Sequence, residues 1–275
     1  MPRDTPATRR AYGRRADELR PVSIELGVQK FADGSAQVEM GDTRVLVAAT
    51  IERRVPPFLT DSGQGWASAE YSMLPRSTTT RVPREVNRGR PSGRTSEIQR
   101  LIGRSIRSVL DLRAMPDRTL LIDCDVIQAD GGTRTASVTG AYVAAAVACA
   151  ELVLRGEIER WPFREPVAAI SAGIVDGVLL LDLDASEDQT AEADFNIVAT
   201  GSGRLVEVQG TGEKRSFTRE ELDALLDLAF AGMRELAAKQ QEVLAERLSE
   251  VEQATSKGSR APAPAKSEKD LWGRP

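Results

Sequence analysis

The chain has 275 residues, 41% of them apolar and 28% charged, enough to bury one large core or two small ones. It has no histidine and only two cysteines, which excludes Ser-His-Asp chemistry, histidine general bases and histidine or thiolate zinc sites together. Those absences leave carboxylates, hydroxyls, arginines, backbone groups or an oxygen-bound divalent ion to carry any chemistry, and the net charge of −4 argues against a wholly basic nucleic-acid binder.

Residues 1–13 read as a flexible, arginine-rich N-terminal arm, with no apolar run behind the arginines to suggest a signal peptide. Residues 22–26, 36–40 and 43–51 predict three strands joined at Asp33-Gly34 and Gly41-Asp42, an antiparallel meander whose third strand is central. Pro56-Pro57 and Gly63-Gln64-Gly65 mark a loop, and residues 66–74 a further strand. Residues 76–93 carry Pro83 and Pro91 and no apolar period. A loop of that length inside a compact domain is uncommon without a function. From Arg76 to Arg113 there are ten arginines against three acids, which is either a footprint for a polyanion or a solvated basic surface. No aromatics interleave, so this loop alone offers no base stacking.

Residues 95–112 predict an amphipathic helix capped by Thr95 or Ser96. Arg100, Arg104 and Arg107 share one stripe, extended at pairing distance by Glu97 and Asp111. This is a salt-bridged face or a subunit contact, and the first is expected. Residues 119–128 alternate with period two, Ile122, Cys124 and Val126 on one face and Asp123 and Asp125 on the other. Asp130-Gly131-Gly132 breaks this strand, and an alanine-rich helix is predicted from about Thr135 to Leu154. Thr139, Gly140 and Glu151 interrupt it, so it reads as a buried helix rather than a membrane span. Gly132, Thr133 and Arg134 stand at the positive end of its dipole, a good phosphate site. The plain alternative is a turn in which Thr133 caps the helix and Arg134 is solvated. The two cysteines, one in the strand and one in the helix, read as buried free thiols of a reducing compartment, by default the cytoplasm.

Residues 167–175 and 178–183 predict a hairpin about Gly177, followed by an acidic loop with Asp182, Asp184, Glu187, Asp188, Glu192 and Asp194. Strands at 195–200 and 205–209 flank Gly201-Ser202-Gly203. A helix over 218–248 opens with a Thr218/Glu221 capping box, and residues 249–275 read as a disordered polar tail. Asp188 and Asp194 suit Mg²⁺ or Mn²⁺ shared with phosphate oxygens; as a bland alternative, they belong to a solvated acidic loop. A phosphate nucleophile fits the missing histidine, because phosphate is already anionic near neutral pH and needs positioning, by Arg94, Arg134 and the helix N-terminus, more than deprotonation.

Six blocks in order, GDTRVLVAATIE, GQGWASAEYSMLPRST, GRTSEIQRLIGRSIR, DCDVIQADGGTRTASVTGA, LDLDASEDQTAEADFNIV and VEVQGTGE, closely resemble the bacterial ribonuclease PH family over residues 14–240. The resemblance implies an α+β fold of the ribosomal-protein-S5-domain-2-like type, with two related βα halves in one domain over residues 14–248. It implies a phosphate-dependent 3′→5′ exoribonuclease that trims tRNA precursors, transferring the terminal nucleotide to inorganic phosphate and releasing a nucleoside diphosphate, reversibly. It further implies RNA as partner, a homo-hexamer built as a trimer of dimers, and no membrane. By the same resemblance Arg94, Gly132, Thr133 and Arg134 bind phosphate, Asp188 and Asp194 are catalytic or metal-binding, and Arg76, Arg81 and Arg84 guide RNA. The chain departs from the pattern at Ser77-Thr78-Thr79-Thr80, where many relatives carry a histidine, at Ala185, and in its long tail. Two rival readings remain at this level: an inert RNA-binding subunit of an exosome-like ring, and a hydrolytic Mg²⁺ nuclease on the same carboxylates.

Overall fold

The computed structural model describes residues 10–256. Five strands form the first sheet: β1 (Val22–Leu26), β2 (Gly34–Met40), β3 (Thr43–Glu52), β4 (Trp66–Met73) and β5 (Thr119–Gln128). Their order is β1-β2-β3-β5-β4, with β4 parallel to β5 and every other pair antiparallel. The predicted β1-β2-β3 meander is present, and β3 is the central strand of the whole sheet. Ile122, Cys124 and Val126 of β5 are buried while Asp123 is exposed, as the alternation requires of a sheet covered on one face.

Helix α1 (Gly93–Val109) leads from the basic loop into β5. Its cap is Ser92, not Thr95 or Ser96: the Ser92 hydroxyl accepts from the Thr95 amide at 3.1 Å, and Ser92 itself is extended. The Thr95 hydroxyl instead donates to Glu85 at 2.9 Å. The predicted arginine stripe does not pair along its own helix. Arg104 meets Glu207, Arg107 donates to the Ala67 carbonyl at 2.7 Å and lies 4.5 Å over the Trp66 ring, and Asp111 takes Arg160 at 2.6 Å. Residues from neighbouring elements reach these side chains with better geometry than the i+4 partner, so the stripe fastens α1 to its surroundings.

Helix α2 (Thr133–Leu154) lies at the centre of the protein. It packs on β2 and β3 on one side and on β6 (Val167–Val175) and α4 (Arg219–Ser256) on the other. By length and composition it could cross a membrane, yet its most apolar window is 83% buried inside the protein. A helix apolar all round belongs in such a place. Small residues let it sit close to the sheet: a Cβ on Gly140 would lie 2.7 Å from Val38 and 3.0 Å from Val47. Cys124 and Cys149 are buried free thiols, and burial pushes both well above the ordinary thiol pKa.

The second sheet contains β6, β7 (Val178–Leu181), β8 (Ala193–Thr200) and β9 (Leu205–Gly212) in the order β7-β6-β8-β9, all antiparallel. The acidic segment expected to be a loop contains a short helix, α3 (Ala185–Thr190), closed by a capping box between Asp184 and Glu187. The Asp-x-x-Glu spacing that nucleates it is a capping signature hidden within a run of acids. The predicted Thr218/Glu221 box is formed as well.

Both ends differ from expectation. Residues 249–256, assigned to the tail, continue α4, because Leu244, Leu248 and Val251 extend its apolar spacing and Leu244 and Val251 are buried; residues 257–275 lie outside the described residues. Residues 10–13, assigned to a flexible arm, are anchored, while residues 1–9 lie outside the described residues. Arg10 is buried and binds Glu187 through Nε and Nη2, at 2.7 and 3.0 Å.

Candidate active site

At the C-terminal end of β5 the chain turns through Asp130-Gly131-Gly132 into α2. Gly131 and Gly132 both have positive φ, +76° and +64°, which glycine adopts without strain. Gly132 is the N-cap of α2 and carries no side chain, so no side-chain cap occupies the helix N-terminus. The first-turn amides therefore remain available to an anion. Thr133 does not cap the helix; its hydroxyl lies 2.9 Å from the Tyr71 hydroxyl. Arg134 is not freely solvated either, since it donates to the Gln209 side chain at 2.9 Å and lies 3.6 Å from Glu97. The turn is held from below. Thr43 donates to the Gly131 carbonyl at 2.6 Å and accepts from the Asp130 amide at 2.9 Å. Arg20 donates to the Asp130 carbonyl, and its fully buried guanidinium pairs with the fully buried Asp182 at 2.7 Å.

Gly131 also sets how close the two halves of the site approach. A Cβ there would stand 2.6 Å from the Leu183 carbonyl oxygen and 2.9 Å from the Ala185 amide nitrogen, at the start of α3. Both obstacles are backbone. Gly131→Ala combines this clash with a disfavoured φ and is expected to cost about 2–3 kcal/mol. Chemical denaturation would measure it, with activity lost in proportion to the displacement of α3.

The resulting cleft, about 1200 Å³, is lined by Arg94, Gly132, Thr133, Arg134, Asp188 and Asp194 together. All six residues assigned to phosphate or catalysis by resemblance thus share one cavity, although they come from α1, the β5–α2 turn, the first turn of α2, α3 and β8. Arg76, Arg81 and Arg84 do not line it. They are exposed on the preceding loop, whose Thr78 reaches the cleft wall. The acidic segment divides, with Glu192 paired to Arg215 at 2.5 Å and the other five acids in two groups. Asp182, Asp184 and Glu187 face Arg10, Arg14 and Arg20 in a buried cluster, whereas Asp188 and Asp194 face the cleft.

Both cleft aspartates have their pKa raised from the ordinary aspartate value. Asp188 opens to solvent through the cleft mouth, but the walls around it displace water, and this raises its pKa against the lowering pull of Arg94 and Arg134. Burial raises Asp194, and the charges of Asp188 and Glu213 add to it. Four acids line the cleft, Glu97, Asp188, Asp194 and Glu213, against three bases, Arg94, Arg134 and Lys214. Two neighbouring carboxylates held at raised pKa, in a site that is not net positive, fit a divalent cation coordinated by one or two carboxylates and by phosphate oxygens. Among the described residues no group of three or more His, Cys, Asp or Glu is placed to hold a metal ion by itself.

Sequence reasoning missed Tyr71, Glu97, Gln209 and Glu213 as members of this site. Tyr71 had a readable signal. It follows Ala67 and Ala69 on the inward face of β4, and a buried tyrosine hydroxyl needs a partner. Gln209 and Glu213 had none, because their neighbours are distant in sequence.

Comparison with known proteins gives the family. Residues 18–151 match the model of the 3′ exoribonuclease family, domain 1, and residues 165–232 that of domain 2. A ribonuclease PH of Moorella thermoacetica is 57% identical over 242 residues, 88% of this chain and 97% of that protein. An Archaeoglobus fulgidus exosome structure with RNA bound to the active site superposes with a TM-score of 0.72 at 26% identity, covering 84% of this chain and 92% of that one. Rice Rrp46 superposes at 0.69 with 20% identity, covering 86% and 100%, which speaks to the fold alone. With both domain models matched in order and this identity along almost the whole length of a curated relative, the chain belongs to the 3′ exoribonuclease family.

Proposed function

We propose that this protein is a phosphate-dependent 3′→5′ exoribonuclease of the ribonuclease PH type. It removes the terminal nucleotide of tRNA precursors by transfer to inorganic phosphate and releases a nucleoside diphosphate. The observation that carries this reading is the shared cleft, in which a glycine turn at a helix N-terminus and two arginines face two carboxylates of raised pKa. Inorganic phosphate sits against Arg94, Arg134 and the first turn of α2, where charge-assisted hydrogen bonds and the helix dipole hold it. Asp188 and Asp194 hold Mg²⁺ or Mn²⁺, which supplies charge neutralisation at the reacting phosphates when bound. The chain's own residues mainly orient phosphate and 3′ end in line, which is most of what phosphoryl transfer needs. The presence of the whole set in one cleft disfavours the inert-subunit reading.

The working form is a homo-hexamer, a trimer of dimers, acting in the cytoplasm. The likeness to a protein of the Archaeoglobus fulgidus exosome supports an assembly of several subunits. The deciding experiment incubates RNA bearing a free 3′ end with Mg²⁺, with and without inorganic phosphate. Nucleoside diphosphates released only with phosphate are expected; monophosphates without phosphate would make the enzyme a hydrolase, and RNA bound without release would make it an inert subunit.

Arg76, Arg81 and Arg84, exposed on the loop beside the cleft, guide the RNA backbone. Replacing all three with alanine is expected to weaken trimming of a tRNA precursor while sparing short oligonucleotides. The logarithmic salt dependence of RNA binding should flatten by roughly 0.7 in slope for each phosphate that an arginine no longer neutralises. Unchanged precursor trimming in the triple variant would remove the loop from this role.

A further inference from the structure

The phosphate cleft contains a carboxylate among its arginines, Glu97. Glu97 lies one turn after Arg94 on α1, lines the same cavity, and approaches Arg134 at 3.6 Å. It is partly exposed, and among the described residues no hydrogen bond ties its carboxylate elsewhere, since Arg134 itself bonds to Gln209. A negative charge in this position repels every oxyanion that enters. The repulsion is offset for one class only, oxyanions that still carry a proton and can donate it to the carboxylate. Monohydrogen phosphate keeps an O–H throughout the neutral pH range, as does monohydrogen arsenate. Sulfate has none, and presents only acceptors to an acceptor.

Resting on the reading of this cleft as the phosphate site, we propose that Glu97 is a specificity-determining residue that accepts a hydrogen bond from the protonated oxygen of phosphate and thereby rejects fully deprotonated oxyanions such as sulfate. Arg94 and Arg134 supply attraction for any tetrahedral anion, and Glu97 supplies the discrimination. This assigns opposite tasks to residues one turn apart and explains why an anion-binding cleft tolerates an acid beside its arginines.

The test is a three-anion comparison during RNA phosphorolysis. It measures KM for phosphate and for arsenate as co-substrates, and Ki for sulfate as a competitor, in the wild-type protein, Glu97→Gln and Glu97→Ala. In the wild type, sulfate is expected to bind much more weakly than phosphate, with arsenate following phosphate. In Glu97→Ala the Ki for sulfate is expected to fall while KM for phosphate holds or rises, closing the gap by about tenfold or more, the scale of one charge-assisted hydrogen bond. Glu97→Gln removes the charge but keeps an amide oxygen able to accept, so it should give an intermediate ratio with the fold undisturbed. A parallel change in all three constants would make Glu97 a positioning residue for Arg134 and overturn the proposal. Wild-type sulfate binding as tight as phosphate would overturn it as well. Nucleotide release that ignores phosphate altogether would instead overturn the underlying reading of the cleft, a result separable from the other two.

Discussion

Asp194→Asn is expected to abolish phosphorolysis, with a loss on the order of 10²–10³-fold or more, while RNA binding and fold remain. Asn is isosteric with Asp, and Asp194 sits on β8 between neighbours that need only its backbone for the ladder. Its carboxylate faces the cleft beside Asp188, so the substitution leaves the basic groups proposed to hold RNA and phosphate in place and removes a proposed ligand for the divalent ion. The measurement is single-turnover nucleotide release together with RNA affinity; full activity in the variant would remove Asp194 from the site.

The same substitution makes an opposite prediction for stability. Desolvation, with the charges of Asp188 and Glu213, raises the Asp194 pKa above its value in the unfolded chain. On raising the pH, the unfolded chain therefore releases this proton first, and the folded protein binds more protons across the interval between the two values. The stability is fully present below the unfolded value and is lost as the pH rises through the folded one. At neutral pH the ionised Asp194 thus costs stability in the metal-free protein. Asp194→Asn should then raise the melting temperature at neutral pH, and the gain should vanish under acid conditions where the wild-type group is protonated. A variant that is inactive but more stable would separate a functional role from a structural one, since a merely structural carboxylate gives the reverse. Added Mg²⁺ should stabilise the wild type and leave the variant unmoved.

Asp182→Asn is expected to be the most destabilising single change among the charged residues. Asp182 and Arg20 are both fully buried, and the carboxylate takes the Arg20 amide at 2.8 Å, Nε at 3.0 Å and Nη2 at 2.7 Å. Removing the charge leaves a guanidinium buried and uncompensated, which costs about 3–5 kcal/mol. For a chain of this size that corresponds to a melting temperature lower by roughly 6–20 °C. Asn accepts the positive φ of +54° at this position, so backbone strain does not confound the result. The pair also links the two halves of the active site, because Arg20 holds the Asp130 carbonyl of the anion turn while Asp182 leads into α3. Loss of phosphate affinity should therefore accompany the loss of stability. A double variant, Arg20→Met with Asp182→Asn, which removes the buried guanidinium and keeps a residue that accepts the positive φ, should recover part of the stability without the phosphate affinity. Recovery of both would show that the link to the turn is dispensable.

Local structure and the range of possible chemistry were legible in the chain before it folded. Alternation over residues 119–128, the glycine break after it and the alanine-rich run specify strand, turn and helix, with faces and ends within two residues of those observed. The missing histidine confined the chemistry to arginines and carboxylates. The long resemblance singled out the six residues that the fold gathers into one cleft. These features are readable because period, glycine φ and residue type act within a few positions of the chain.

Which charges meet was settled in three dimensions. The acidic run of 182–194 is uniform in sequence, yet Asp182, Asp184 and Glu187 meet arginines some 170 residues earlier, Glu192 pairs with Arg215, and Asp188 and Asp194 are left facing the cleft. The N-terminal arginines looked like a solvated arm and proved to be the counter-charges beneath the site. The stripe on α1 satisfied the spacing for intrahelical pairs and nonetheless paired with β9 and with Arg160. The cause is physical. Exposed pairs at i+4 gain only a few tenths of a kcal/mol, whereas buried arginines cannot remain unpaired at all. Burial therefore selects the partners, and burial is a property of the assembled fold rather than of any local stretch of sequence.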